Sequence, residues 1–192
     1  SGTFGDDLTW SVDAEGTLTI SGTGAIPDFE YVMGETPNSI YGGANTPWRS
    51  YLIRKVVVNE GITSVGSIAL AYLEKMESIS LPASLRELGS HALANNFGLK
   101  QIVLPENLET LDEMALFQCS GLSSLHIPAG VKSIGESAID GCHLDSITVD
   151  EANTAFCAED GVLYTKDKKE LLAITSNRTE LTIPDSVTRV GS

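Results

Sequence analysis

The chain has 192 residues, which is enough for one domain or for one elongated array of short units, and 42% of its residues are hydrophobic. Its formal net charge is −14, and no basic stripe is present to neutralise phosphates, so a nucleic-acid partner is excluded. No apolar run reaches about 18 residues, so we predict no membrane span. No signal peptide opens the sequence, so we expect it to be the mature or excised portion of a longer protein.

Residues 1–50 are predicted to cap the N-terminal end of the molecule. The stretch LTWSVDAEGTLTI (8–20) alternates apolar and polar residues around a Glu-Gly turn, which is typical of a β-hairpin. Its apolar side chains would face one another across the hairpin: Leu8, Trp10 and Val12 opposite Leu18 and Ile20. We expect this hairpin and the segment TPWRSYL, with Trp48 and Leu52, to shield an array that occupies residues 51–192.

The array repeats with a period of 23 residues, in units that begin at Ile62, Leu85, Leu108 and Val131. Matching positions hold the same class of residue, and position 8 of every unit is alanine: Ala69, Ala92, Ala115 and Ala138. Such self-similarity predicts a solenoid, because a single unit buries too little apolar surface to offset its loss of conformational entropy. Each unit is therefore expected to fold only when it is stacked on its neighbours.

Two kinds of local structure are predicted in each unit. The segments SISLP, QIVLP and SLHIP alternate inward and outward residues and end at proline, which is typical of short parallel strands. With the strand RKVVVNEG upstream and two more downstream, they predict one parallel sheet of about six strands. The segments GSHALAN and DEMALFQ have helical spacing and predict short helical or 3₁₀ turns. The predicted fold is thus an α+β repeat solenoid, a right-handed coil with a parallel β-sheet on one face and the helical turns opposite.

Position 5 of the units is predicted to have a backbone conformation or a close contact that favours glycine. It holds Gly66, Gly89 and Gly135, with Asp112 in the third unit. Glycine there predicts either a positive φ or a close approach to another segment.

The fourth unit is followed by an insertion, residues 150–180, before the pattern resumes in a partial unit, residues 181–192. The stretch EDGVLYTKDKKELLAIT predicts a hairpin from Val162–Thr165 and Leu171–Thr175. We expect this hairpin to project from the array while Phe156 packs on it. Leu181, Ile183 and Val187 then resume the inward columns.

The outward strand positions predict a candidate binding surface. They form two columns of mostly short polar side chains: Ser78, Gln101, Ser124 and Ser146, and beside them Ser80, Val103, His126 and Thr148. We call these eight residues the sheet-face columns. Such a face suits a protein ligand, with a glycan as the second choice because neither column holds an aromatic residue. The alternative is an ordinary solvated sheet face with no partner.

Cys119 and Cys142 share position 12 in adjacent units, and the ladder spacing permits a disulfide between them. The same column holds Leu73 and Asn96, which favours buried free thiols instead.

Signs of catalysis or metal binding are absent from the sequence. His91, His126 and His143 fall at unrelated positions, so stacking builds no His site for a metal. The acidic pairs lack the alternate-residue spacing of a calcium loop: Asp6/Asp7, Asp150/Glu151 and Glu159/Asp160. GSHAL lacks the strand-turn-helix setting of a serine nucleophile. We therefore predict no catalytic residues, no metal, no cofactor and no enzymatic activity.

The repeat resembles the BspA-type leucine-rich repeat family of bacterial surface and secreted proteins. IPAGVKSIGESAIDGCHL and LPENLETLDEMALFQCSGL are similar to the family pattern IPxxVxxIGxxAFxxCxxL, although leucine or isoleucine replaces its phenylalanine. The insertion from TVDEANTAFCAEDGVLY onward and the segment GDDLTWSVDAEGTLTI resemble the family's inserted hairpin and N-terminal cap. The resemblance implies a leucine-rich-repeat-like fold and binding or adhesion at the cell surface, without shared catalytic residues.

These observations predict a secreted or cell-surface module that recognises an extracellular protein, of a host or a matrix, through the sheet-face columns. The alternative hypothesis is a structural spacer or display scaffold within a larger surface protein, with no ligand of its own.

Overall fold

The computed structural model describes residues 1–5 and 7–191. These residues form strands joined by turns; they contain no helix, and hence none with the length and apolarity needed to cross a bilayer. The strands are β1 (Gly2–Phe4), β2 (Leu8–Val12), β3 (Thr17–Gly22), β4 (Gly24–Ile26), β5 (Tyr31–Met33), β6 (Gly42–Ala44), β7 (Lys55–Val58), β8 (Ile62–Val65), β9 (Ser78–Ser80), β10 (Glu87–Leu88), β11 (Thr110–Leu111), β12 (Ser124–Ile127), β13 (Ser133–Ile134), β14 (Ser146–Val149), β15 (Phe156–Glu159), β16 (Val162–Thr165), β17 (Glu170–Ile174) and β18 (Arg189–Val190).

The N-terminal hairpin is confirmed and continues directly into the array. Strands β2 and β3 pair antiparallel with Trp10 opposite Ile20. Strand β3 then pairs parallel with β7, which places Ile20 beside Val58, and the first sheet has the order β1-β2-β3-β7-β9. Trp48 is fully buried, and the rings of Phe4, Trp10 and Phe29 contact it edge-on. Trp48 is therefore buried as expected, whereas Leu52, which was expected to shield the array beside it, is 38% exposed.

A second parallel sheet joins the beginnings of the units. Its order is β13-β11-β10-β8-β4, and its register places Leu88 opposite both Val65 and Leu111. Residues 23 apart thus occupy equivalent places in adjacent units. The inward positions of the four units enter one continuous core, in which Leu85, Leu93 and Leu108 have no exposed surface.

The predicted helical turns, and with them the α+β class, are not confirmed, because the described residues contain no helix and the corresponding segments bond between units. Positions 7 and 11 of every unit have left-handed backbones: Ile68, Tyr72, His91, Asn95, Met114, Gln118, Ser137 and Gly141. A left-handed residue interrupts a right-handed helix and rotates its N–H group out of the helical direction. Each segment is consequently a pair of consecutive turns.

These turns tie each unit to the next through alternate backbone groups. The N–H groups of Ile68, Leu70 and Tyr72 donate to the carbonyls of Ser90, Ala92 and Ala94 at 3.1, 2.9 and 2.9 Å. The same three bonds join the second unit to the third and the third to the fourth. Ala92, Ala115 and Ala138 accept bonds of this set through their carbonyls, and all four alanines are at most 3% exposed. We call this set of bonds the turn ladder.

The glycines at position 5 serve close approach rather than a positive φ. A Cβ atom added at Gly89 would lie 2.9 Å from the Val65 carbonyl oxygen, and one at Gly135 would lie 2.3 Å from the Glu113 nitrogen. Neither glycine has a left-handed backbone. The first of the two predicted reasons is thus wrong and the second is confirmed.

The expected single sheet of about six strands is wrong. The strand face consists of β7 and β9 in the first sheet and of a separate pair, β12 and β14. Residues 101–104 lie between them without strand pairing, although Ile102 and Leu104 stay buried. Residues 181–183 form no strand either, and Ile183 is 46% exposed. Side-chain burial rather than backbone pairing holds residues 101–104 in the stack.

The inserted hairpin is confirmed, but it does not project from the array. Strands β15, β16 and β17 form an antiparallel sheet, and β18 adds to β17 in parallel. Phe156 and Leu163 are buried in the main core, so this inserted sheet packs against the fourth unit. The opposite side chains of its strands, Val162, Tyr164 and Leu171, form a small second core. Because alternate side chains of these strands enter the main core and the second core, the inserted sheet is buried on both faces. It therefore lies against the array instead of projecting from it.

Candidate binding surface

The sheet-face columns are only partly joined by backbone pairing. Ser124 lies beside Ser146, and His126 beside Thr148, because β12 and β14 pair in that register. Ser78 and Ser80 lie in β9 next to Lys55 and Val57 of β7. Gln101 and Val103 occupy the unpaired segment between the two sheets. Backbone pairing therefore divides the columns into a group of four residues in β12 and β14 and a group of two residues in β9. Gln101 and Val103 lie in the unit between these two groups.

Chemically, the columns offer hydroxyl and amide groups around one exposed apolar side chain. Ser80, Gln101, Ser124, Ser146 and Thr148 are exposed, whereas Ser78 is half-buried. The side chain of His126 is exposed, with Nδ1 2.8 Å from the Thr148 hydroxyl. Val103 is 80% exposed. Hydroxyls both donate and accept, so this surface can hydrogen-bond either kind of polar group on a partner.

A line of charges also crosses the units. At position 2 of three successive units, Arg86, Glu109 and Lys132 are linked by ion pairs of 3.0 and 3.2 Å through the Glu109 carboxylate. The hydrogen bond from Lys132, its charge and that of Arg86 lower the pKa of Glu109. The carboxylate therefore stays ionised to a lower pH than an isolated Glu.

Position 12 holds a buried polar column that the sequence pattern indicated only as filler. Asn96 is fully buried; its Nδ2 donates to the carbonyls of Leu70 and Leu93 at 2.9 and 2.8 Å, and its Oδ1 accepts from the Leu73 N–H at 2.8 Å. In the next unit, the Cys119 thiol donates to the Leu93 carbonyl at 3.2 Å. The signal was available in the sequence, because Asn and Cys can both donate to a carbonyl at this place. The column joins units and is not a reactive site.

The two thiols of this column are free, as the sequence favoured. Cys142 donates to the Leu116 carbonyl at 3.2 Å. The contact with Cys142 and burial together raise the pKa of Cys119 far above the ordinary range of a thiol. The contact with Cys119 lowers the pKa of Cys142.

Residues 1–5 and 7–191 include all three histidines and all three cysteines of the chain. In that part of the chain no three His, Cys, Asp or Glu side chains are grouped so that they could hold a metal ion. Asp6 lies outside the described residues, so the Asp6/Asp7 pair is not described. The Ser90 hydroxyl lies 2.8 Å from His91 Nδ1, a contact between sequence neighbours in a turn.

Comparison with known proteins agrees with this architecture. The model of the BspA type leucine-rich repeat region matches residues 48–159 in six copies. No curated protein sequence matches the chain significantly.

Three solved structures share the fold. A leucine-rich repeat protein from Eubacterium ventriosum is 24% identical, with a TM-score of 0.75 over 98% of this chain and 54% of that one. The pneumococcal vaccine antigen PcpA is 18% identical, with a TM-score of 0.65 over 100% of this chain and 61% of that one. A leucine-rich cell surface protein from Faecalibacterium prausnitzii is 19% identical, with a TM-score of 0.52 over 98% and 66%.

This chain thus spans between about half and two thirds of the length of those relatives. The family model covers more than half of the chain, and the stacked units have the structure that the match implies. The chain belongs to the BspA-type leucine-rich repeat family.

Proposed function

We propose that this chain is a binding or adhesion module, secreted or displayed on a bacterial cell surface, that recognises an extracellular protein through the sheet-face columns. The observation that carries the proposal is the exposed Val103 among side chains that are short, polar and uncharged. An exposed apolar residue within a polar rim is the usual composition of a protein contact. A glycan ligand is the second choice, because the columns hold no aromatic ring on which a sugar could stack.

Two structural relatives support display at the surface. One is described as a leucine-rich cell surface protein and another as a vaccine antigen. Both relatives are less than 25% identical to this chain, so they support only the choice of extracellular ligands to screen.

Charge narrows the class of partner. The chain carries a net charge of −14, which disfavours nucleic acid and favours proteins with basic surfaces.

A spacer or display scaffold is the second candidate. It is favoured by the turn ladder, which joins successive units into one stiff array and requires no partner. The family has no shared catalytic residues, and we propose no enzymatic role.

A binding screen of the chain against purified extracellular matrix proteins and glycans tests the proposal. Val103→Glu is expected to weaken binding of the selected protein at least about tenfold, because it places a charge at the centre of the contact. Met33→Glu is the matched control, since Met33 has the same 80% exposure but lies in β5. Equal binding by both variants would contradict use of the sheet face, and the absence of any ligand would favour the spacer.

A further inference from the structure

The N-terminal cap supplies only the first bond of a turn ladder to the first unit. The Phe29 N–H donates to the Ser67 carbonyl at 2.9 Å, which matches the first of the three bonds that join each unit to the next. The next two acceptors of the first unit are the carbonyls of Ala69 and Ala71. Among the described residues, neither of these carbonyls accepts a hydrogen bond, and both residues are at most 2% exposed.

A small cavity lies between the cap and the first unit at this place. Ala71 and Tyr72 line it from the first unit, and Thr36, Trp48 and Arg49 line it from the cap. Its volume is about 10 Å³. A cavity needs about 10–15 Å³ to hold one water molecule, so any larger ligand is excluded by size.

Two donors of the residues that line this cavity lack acceptors. Trp48 is fully buried, and its Nε1 and the Nε of Arg49 are buried atoms without a hydrogen-bond partner. By contrast, Arg49 Nη2 donates to the carbonyls of Val32, Met33 and Gly34 at 3.3, 3.4 and 3.2 Å. Buried N–H groups without acceptors are costly, and nearly all such groups in folded proteins are satisfied.

Other polar side chains at the cavity already have partners. Asn38 Nδ2 donates to the Tyr51 carbonyl at 2.9 Å, and its Oδ1 accepts from the Ile53 N–H at 2.8 Å. The Thr36 hydroxyl accepts from the N–H groups of Asn38 and Ser39 at 3.1 and 2.9 Å. Neither side chain therefore supplies an acceptor for the indole or the guanidinium.

We infer that one water molecule occupies this cavity, accepts hydrogen bonds from Trp48 Nε1 and Arg49 Nε, and donates one to the Ala71 carbonyl. Three polar partners are the usual number for a buried water. An anion would accept from both N–H groups but would be repelled by the carbonyl oxygen, and a cation would accept from neither. The water thus takes the place of the third donor of the turn ladder and joins the cap to the first unit. This site is separate from the sheet-face columns and does not depend on their role.

NMR cross-peaks between Trp48 Hε1 and water test the inference in the unmodified chain. In a rotating-frame Overhauser spectrum, a bound water close to the proton gives a cross-peak opposite in sign to the diagonal, whereas chemical exchange with bulk water gives one of the same sign. We expect the opposite sign at Trp48 Hε1. A cross-peak of the exchange sign alone, or no cross-peak, would overturn the inference.

Gly43→Ala provides a second test, because it places a methyl group in the cavity. Gly43 lines the cavity and has no left-handed backbone. A Cβ atom added there would lie 3.7 Å from Thr36 Cγ2 and 3.8 Å from Tyr72 Cβ, which are ordinary contact distances. A replacement of glycine by alanine without strain normally stabilises a protein, since it restricts the unfolded chain.

Displacement of the water reverses this sign, because the two donors and the carbonyl lose their shared partner. Gly43→Ala is therefore expected to lower the Tm by at least about 3 °C and to abolish the water cross-peak of Trp48 Hε1. An unchanged or higher Tm would show that the methyl group fills a dry cavity and would overturn the inference.

Discussion

The side chain of Asn96 donates a hydrogen bond from Nδ2 to the carbonyl oxygen of Leu70, 26 residues earlier and one unit away, at 2.9 Å. Asn96 also bonds Leu73 of that unit and Leu93 of its own, so one buried amide satisfies three backbone groups. Units are thus held together by buried polar bonds as well as by apolar contact.

Replacement of Asn96 by leucine tests this relationship. Asn96→Leu is expected to lower the free energy of unfolding by about 2–4 kcal/mol, since buried groups left without partners cost about 1–3 kcal/mol each and the new aliphatic group offsets part of the loss. Asn96→Cys keeps a donor, as Cys119 does towards Leu93, and should cost less. Urea denaturation measures both. Equal losses would mean that the amide contributes through volume alone.

The close approach at position 5 predicts a graded effect of alanine substitution. Gly135→Ala is expected to destabilise by about 1–3 kcal/mol, the usual cost of overpacking, because its Cβ would lie 2.3 Å from the Glu113 nitrogen. Gly89→Ala should cost less, since the corresponding distance is 2.9 Å. Thermal unfolding of the two variants measures the two losses of stability. A larger loss for Gly89→Ala than for Gly135→Ala would contradict the account.

The ion-pair line predicts a pH dependence. Lys132 and Arg86 lower the pKa of Glu109 in the folded state. Ionised Glu109 therefore stabilises the folded state at pH values above the pKa of an unfolded Glu, about 4.3. This stabilisation is lost as the pH falls through the lower folded-state pKa. Glu109→Gln should therefore lower the Tm at pH 6 and have little effect near pH 3. The exposed Glu106, which has no ion pair within the described structure, supplies the control Glu106→Gln. A difference between wild type and Glu109→Gln that does not change with pH would contradict this role.

The two thiols of position 12 should differ in reactivity. Cys119 is fully buried and its pKa is raised, whereas Cys142 is half-buried and its pKa is lowered. Only the thiolate is a nucleophile, so iodoacetamide should alkylate Cys142 well before Cys119 under native conditions. Mass spectrometry of the digested protein measures the two rates. Alkylation of Cys119 first would show that this part of the stack is open.

The inward columns were predictable because aliphatic side chains return every 23 residues and a parallel ladder places them at one height. The turns were not, since Ile68 and Met114 have left-handed backbones that non-glycine residues seldom adopt. Spacing that fits a helix also fits consecutive turns, and the sequence alone cannot separate them. In the structure, the hydrogen bonds from these segments to the next unit distinguish consecutive turns from a helix.

The candidate surface was predictable as a set of outward positions but not as a continuous sheet. The inward neighbours of Val103 are buried as expected, yet residues 101–104 do not pair with β9 or β12. The position of the inserted sheet was not predictable, because it depends on how Phe156 and Leu163 pack into the main core. The hairpin of β5 and β6 was also missed, since strands of three residues carry too short an alternation to detect.

Deletion of one whole unit tests the central claim, that equivalent units stack through the turn ladder, most directly. Removal of residues 85–107 brings Leu108 to the place of Leu85 and lets Ile68, Leu70 and Tyr72 donate to Glu113, Ala115 and Phe117, so urea unfolding of the shortened chain should remain cooperative. Removal of residues 85–96 shifts the register and should abolish cooperative unfolding. A cooperative transition for the register-breaking deletion, or its loss for the whole-unit deletion, would contradict the account.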